Sequence, residues 1–234
     1  MTNAASRIVV AIDRMRLEDA HSDAAKLKAR AGVIKLGLEF FVANGPQGVR
    51  AVAGPTPLFL DLKLHDIPNT VAGGVRAACQ LGPKFLTIHA GGGEAMMRAA
   101  ADASKAAGSS RPLLLAITVL TSLDDRDLGA VGQHGPVGDQ VKRLAALAKK
   151  SGLDGVVCSA HETAALRAEC GKDFLLVVPG IRPSWTTSND QKRVVTPAEA
   201  VRRGADYLVI GRPITQADDP AAALERIAAE IAAA

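Results

Sequence analysis

Short runs of β-branched and other apolar residues recur along the chain at 8–12, 33–36, 58–62, 85–88, 113–117, 155–158, 174–178 and 207–210. Their length and their polar, glycine or proline borders predict strands. Between them lie alanine-rich segments with apolar residues at helical spacing, such as Val71, Val75 and Ala78 after the third run and Val141, Leu144, Ala145 and Ala148 after the fifth. Strand and helix therefore alternate throughout. Eight units in 234 residues correspond to about 29 residues each, the size of a βα unit, and the total is near the roughly 250 of an eightfold barrel.

A doubly wound open sheet shares this alternation. The third run separates the two: in Leu60-Asp61-Leu62-Lys63-Leu64 leucines and charges alternate with period two, whereas a central strand of an open parallel sheet is apolar on both faces. In a barrel the inward face of each strand opens into the active site at its C-terminal end. The prediction is a single-domain (β/α)8 TIM barrel spanning 1–234, with no linker. Asp219 before Pro220 reads as an N-cap with proline at the first helical position, opening a last helix over 221–233. The polar stretch 183–193, Pro-Ser-Trp-Thr-Thr-Ser-Asn-Asp-Gln-Lys-Arg, is too long for a minimal turn and is expected to act as a lid over the mouth.

Composition narrows the partners. Apolar residues make up 48% and charged residues 22%, enough to bury one substantial core and too ordered a mixture for a disordered chain. The net charge of +4 comes from basic residues scattered as doublets, and aromatics are only 3%; a nucleic-acid surface would cluster the basic residues and interleave aromatics, so a small anionic ligand fits better. Cys79, Cys158 and Cys170 are odd in number and lack a CxxC pair, which disfavours a disulfide framework or a zinc site and suits a reducing cytoplasm. No apolar run approaches the roughly 20 residues of a membrane span, and no signal peptide is visible at the N-terminus.

The candidate chemistry lies on the first three strands. Asp61 and Lys63 share one strand face, and Asp66 follows just beyond. Asp13 ends the first strand and Lys35 lies in the second. Charges gathered at a barrel mouth must compensate one another, because an isolated buried charge is costly. Lysines held between carboxylates stay protonated, so Lys63 is expected to be an acid and not a Schiff-base nucleophile. After the seventh and eighth strands come Gly180-Ile181-Arg182-Pro183 and Gly211-Arg212-Pro213. Barrels commonly bind phosphate there, with glycine allowing close approach and arginine offering a planar fork. Gln191 in the expected lid adds a further donor.

The segment Asp61-Leu62-Lys63-Leu64-His65-Asp66-Ile67-Pro68-Asn69-Thr70 resembles the Asp-x-Lys-x-x-Asp-Ile-Pro-x-Thr motif of the orotidine 5′-phosphate decarboxylase family. The resemblance extends over nearly the whole chain, through Asp13, Lys35-x-Gly37, Thr118-Val119-Leu120-Thr121-Ser122, Val178-Pro179-Gly180-Ile181-Arg182, Asp190-Gln191 and Ile210-Gly211-Arg212-Pro213, without departure at these positions. It implies a cofactor-free and metal-free homodimer that converts orotidine 5′-phosphate to UMP at sites shared between subunits. Lys63 then corresponds to the proton donor to C6, in a charged array with Asp61, Lys35 and an Asp66 supplied by the partner. Asp13 and Lys35 correspond to ribose ligands, with Thr70 reaching across from the partner. Thr121 and Ser122 correspond to pyrimidine contacts, and Arg182, Gln191, Gly211 and Arg212 to the phosphate grip.

Two rival functions remain at this level: a metal-dependent sugar-phosphate decarboxylase or aldolase on the same scaffold, and a catalytically silent nucleotide-binding protein. Lysine at position 35, where the metal-dependent relatives tend to carry an acid, disfavours the first. His65 and His89 are expected to be hydrogen-bonded strand-end residues, Gly91-Gly92-Gly93 a βα turn, and the cysteines core or near-core thiols. Trp185 either packs a closed lid or is exposed.

Overall fold

A computed structural model describes residues 4–27, 30–186 and 195–234. Eight parallel strands close into a barrel in sequence order: β1 Ile8–Ile12, β2 Val33–Gly37, β3 Leu58–Leu64, β4 Phe85–His89, β5 Leu113–Ile117, β6 Gly155–Val157, β7 Leu175–Val178 and β8 Tyr207–Ile210. The ring closes where Val9 of β1 pairs with Val33 on one side and Val209 of β8 on the other. Helices α1 Leu17–Leu27, α2 Leu38–Ala53, α3 Pro68–Cys79, α4 Gly93–Lys105, α5 Asp125–Ala130, α6 Val137–Lys150, α7 Thr163–Cys170, α8 Pro197–Arg202, α9 Arg212–Thr215 and α10 Pro220–Ala232 cover the outside. The expected barrel is thus the observed one. Short α5 and α9 are additions to the one-helix-per-strand plan.

The alternation of side chains along the strands divides the core in two. Val9, Ala11, Val33, Phe59, Phe85, Leu115, Val177 and Val209 fill the barrel interior. Their neighbours Ile8, Val10, Ile12, Ile34, Leu58 and Leu60 turn outward beneath the helices. Phe85 meets Phe59 edge-on at 5.7 Å and Tyr207 at 4.9 Å, plugging the barrel below the mouth. Phe59 and Phe85 are completely buried or nearly so, each stabilising the fold by about 1.5–3 kcal/mol through burial alone. Gly155 is required by the sheet itself: a Cβ there would lie 2.4 Å from the Leu175 carbonyl oxygen.

Helix starts follow the chain's local chemistry. Asp219 caps α10 by accepting from the Ala221 and Ala222 N–H groups, with Pro220 at the first position. Asp124 and Asp127 form a reciprocal capping box at α5. Gly45, with φ of 61°, and Pro46 break α2 in its middle, since proline cannot donate to the preceding turn.

Strand β3 departs from the simple alternation that its sequence suggests. Leu60 pairs with Leu86, but the next pair joins Leu64 to Ile88, so three β3 residues face a single residue of β4. This bulge carries Asp61 and Lys63. The expected lid falls largely outside the described residues, Gln191 included. Within them, Ile181 bridges to Val195, and the Arg182 N–H donates to the Val195 carbonyl at 3.1 Å. Trp185 is not the exposed residue of one expectation: it is half-buried against the core, with the Arg226 guanidinium 4.5 Å above its ring, and the lid it was expected to pack lies largely outside the described residues.

Candidate active site

A cavity of about 290 Å³ opens at the C-terminal end of the strands. Asp13, Lys35, Asp61 and Lys63 line it from β1, β2 and β3, Thr121 from beyond β5, and Arg182, Gly211 and Arg212 from beyond β7 and β8. Eight of the residues singled out in the sequence thus meet in one space. Both lysines converge on one carboxylate. Lys63 Nζ lies 2.9 Å from each oxygen of Asp61, and Lys35 Nζ lies 3.6 Å from Asp61 Oδ2 and 3.2 Å from Asp13 Oδ1.

Burial acts most strongly on Asp61, pushing its pKa up, but the positive charges of Lys35 and Lys63 and the hydrogen bonds from Lys63 and Thr87 together outweigh it. The carboxyl is therefore held below its ordinary range and stays ionised at neutral pH. Exposure differs along the array: the Asp61 and Lys35 side chains are 13% and 12% accessible, but Lys63 is 38% accessible. The carboxylate sits deep while one ammonium remains within reach of a ligand.

The backbone at Lys63 is unusual. Its φ of 51° makes it the only non-glycine residue with positive φ among those described. Such a conformation costs on the order of 1 kcal/mol or more. Thr87 of β4, which sequence inspection missed, holds it. Its hydroxyl accepts from the Lys63 N–H and donates to Asp61 Oδ1, both at 2.9 Å. The available signal was a polar residue two positions after inward-facing Phe85, hence on the same strand face.

The remaining candidates fall elsewhere. Asp66 and Thr70 are exposed on the β3–α3 segment and do not line this chain's cavity; Asp66 Oδ1 instead accepts from the Ile67 N–H at 2.6 Å. Ser122 is exposed in a turn and also outside the lining, which Thr121 joins. His65 and His89 stand at the ends of β3 and β4 as expected, but their rings stack at 5.2 Å and 20°, and His89 Nδ1 is buried without the hydrogen bond expected of it. Burial, then His65 and Lys63, lower the His89 pKa, so its ring is neutral. The triple glycine forms the expected turn, and a Cβ at Gly92 would approach the His65 ring to 3.2 Å. Cys158 is buried and lines the cavity. Burial chiefly raises its thiol pKa, so it lacks the thiolate that a nucleophile requires. Cys170 is buried and Cys79 partly buried. Among the described residues no group of three or more His, Cys, Asp and Glu side chains could hold a metal ion, and no helix is long and apolar enough to cross a membrane.

Comparison with known proteins gives this geometry a family. Residues 6–227 match the model of the "Orotidine 5′-phosphate decarboxylase / HUMPS family". The chain belongs to that family. A protein of Rhodospirillum rubrum named orotidine 5′-phosphate decarboxylase is 60% identical over 230 residues, covering 96% of this chain and 93% of its own. One of the same name from Paramagnetospirillum magneticum is 56% identical, covering 96% and 97%. Among solved structures, orotidine 5′-phosphate decarboxylase from Lactobacillus acidophilus superposes with a TM-score of 0.86 at 40% identity, covering 96% of this chain and 98% of the other. The Asp61–Thr70 motif lies within the span that matches the family, and this chain shares its fold with the Lactobacillus acidophilus structure.

Proposed function

We propose that this member of the orotidine 5′-phosphate decarboxylase family converts orotidine 5′-phosphate to UMP, the last step of pyrimidine nucleotide synthesis, without a cofactor or metal. The observation that carries this reading is the Asp13–Lys35–Asp61–Lys63 array facing a cavity whose β7–β8 side offers Arg182 and Arg212.

Breaking the bond between C6 and its carboxylate releases CO2 and leaves the electron pair in the pyrimidine plane, where the ring's π system cannot delocalise it. A fixed cation is the remaining means of stabilisation. The Lys63 ammonium supplies it, then transfers a proton from Nζ to C6, and the neutral amine regains a proton from water. Asp61 holds that ammonium in place from its buried position, and is itself shared with Lys35. The Asp61 carboxylate also repels the departing carboxylate of the substrate, and loss of CO2 relieves the repulsion; this contribution ranks second to carbanion stabilisation. Asp13 and Lys35 hold the ribose, and Thr121, with Ser122 nearby, contacts the pyrimidine. Arg182, Gly211 and Arg212, with Gln191, grip the phosphate. Binding energy from that remote group drives closure over the charged array, so it aids turnover as well as affinity.

The active unit is a cytoplasmic homodimer in which Asp66 and Thr70 complete the partner's site. Both residues, together with Ile67 at 67% accessibility, stand on an exposed segment. Mixing inactive Lys63→Ala and Asp66→Ala proteins under conditions of subunit exchange restores part of the activity if sites are shared; absence of recovery despite exchange removes Asp66 from the site. The activity itself is tested by following loss of orotidine 5′-phosphate absorbance with and without EDTA. Chelator-insensitive consumption is expected. Loss of activity in EDTA points to the metal-dependent sugar-phosphate chemistry, and UMP binding without consumption to a silent nucleotide-binding protein.

A further inference from the structure

We propose that Thr87 is a positioning residue for this decarboxylation: its single hydroxyl holds Lys63 in a left-handed backbone conformation and orients the Asp61 carboxylate beneath the Lys63 ammonium. The inference rests on the proposed role of Lys63. Between the pairs Leu60–Leu86 and Leu64–Ile88, residues 61, 62 and 63 of β3 face only Thr87 of β4, so strand pairing cannot satisfy the bulge. Thr87 is completely buried, and its hydroxyl takes over. A backbone N–H can only donate, so at 2.9 Å from the Lys63 nitrogen the hydroxyl oxygen must accept. Its own hydrogen is then committed to Asp61 Oδ1, also at 2.9 Å, and that bond requires an oxygen able to accept, as an ionised carboxylate is.

One side chain therefore fixes both the backbone that carries the cation and the anion that holds its tip. Threonine suits the task, because its branched Cβ restricts χ1 and the hydroxyl arrives already aimed. His89, two residues further on β4, stacks on His65 at 5.2 Å, so β4 grips the strained segment on both sides of Lys63. Without the hydroxyl, Lys63 loses the partner for its amide and Asp61 loses the one neutral donor that fixes its orientation relative to β4, keeping only the two lysines, while ligand-binding groups beyond β5, β7 and β8 are untouched. The effect should therefore fall on turnover.

Steady-state kinetics of the full chain with orotidine 5′-phosphate tests this. Thr87→Val keeps the shape and removes the hydroxyl; kcat should fall about 10- to 100-fold, the range for a hydrogen bond to a charged group, with KM within about threefold of wild type. Thr87→Ser should recover to within about threefold of the wild-type kcat. Should the valine variant fold poorly, Thr87→Cys against Thr87→Ser repeats the contrast with one atom changed, and the cysteine variant should be at least about tenfold slower. An active wild type with valine or cysteine variants as fast as serine, or with a loss confined to KM, would overturn the positioning role alone. A wild type that consumes no substrate would overturn the proposed function, and this inference with it.

Discussion

At the N-terminal end of the strands, Asp154 receives two bonds from Arg111, at 2.9 and 2.7 Å, and a third from the Leu114 N–H at 2.8 Å. Asp206 is held in the same way by Arg167 at 2.6 Å and the Leu176 N–H at 2.7 Å. Each carboxylate there has one guanidinium and one strand amide, so charge and hydrogen bonding close on themselves. At the C-terminal end, Asp61 is divided between Lys63 and Lys35, and Lys35 is divided again between Asp61 and Asp13. Residues of the same charge types thus do different work. One-to-one pairs tie neighbouring strands together, each charge answered by a single partner, whereas the shared array gathers two ammonium groups and two carboxylates at the cavity between the strand ends.

This contrast makes opposite demands on mutation at the two ends. The largest expected effect is that of Lys63→Ala, which should lower kcat by at least about 10⁴-fold, combining loss of acid catalysis and of the stabilising charge, while UMP still binds; turnover near the wild-type rate would reject Lys63 as the acid. Arg212→Ala should raise KM and also lower kcat, each by about 10-fold or more, and an effect on KM alone would break the coupling between the phosphate grip and the chemistry. At the other end, Asp154→Ala should lower the melting temperature by about 5–10 °C, corresponding to roughly 2–3 kcal/mol, with kcat within about twofold of wild type. A stable but slow variant would erase the distinction between the ends.

The smallest effect concerns pH. The folded pKa of Asp61 lies below its unfolded value of about 3.9. Its contribution to stability is therefore fully present above that value and is lost as pH falls through the lower folded pKa. The melting-temperature gap between wild type and Asp61→Asn should be constant from about pH 5 to 7 and narrow below about pH 4. A gap that stays constant into strong acid would mean that the lysines do not favour the ionised carboxylate.

Much of this was legible in the chain because barrel strands write their periodicity plainly. The run 113–117 matches β5, and the run 207–210 matches β8, residue for residue. Asp61 and Lys63 were conspicuous because charge is costly in a strand buried on both faces. Thr87 was not: threonine is an ordinary strand former, and its role depends on a bulge that no residue near Lys63 announces. The stacking of His65 on His89 depends on the same irregularity, since their separation across β3 and β4 is set by the shifted register. Asp66, Thr70 and Ser122 show a different limit. Their motif resemblance is a property of sequence, but a single chain leaves all three exposed and outside the cavity.

The central claim is that the Lys63 ammonium exchanges a proton with C6 of the nucleotide. Microscopic reversibility makes it testable without substrate turnover: UMP incubated with the protein in D2O should exchange its C6 hydrogen for deuterium, followed by loss of the C6 proton resonance. The wild type should catalyse this exchange and Lys63→Ala, saturated with UMP, should not. Equal exchange rates in the two proteins would contradict the account.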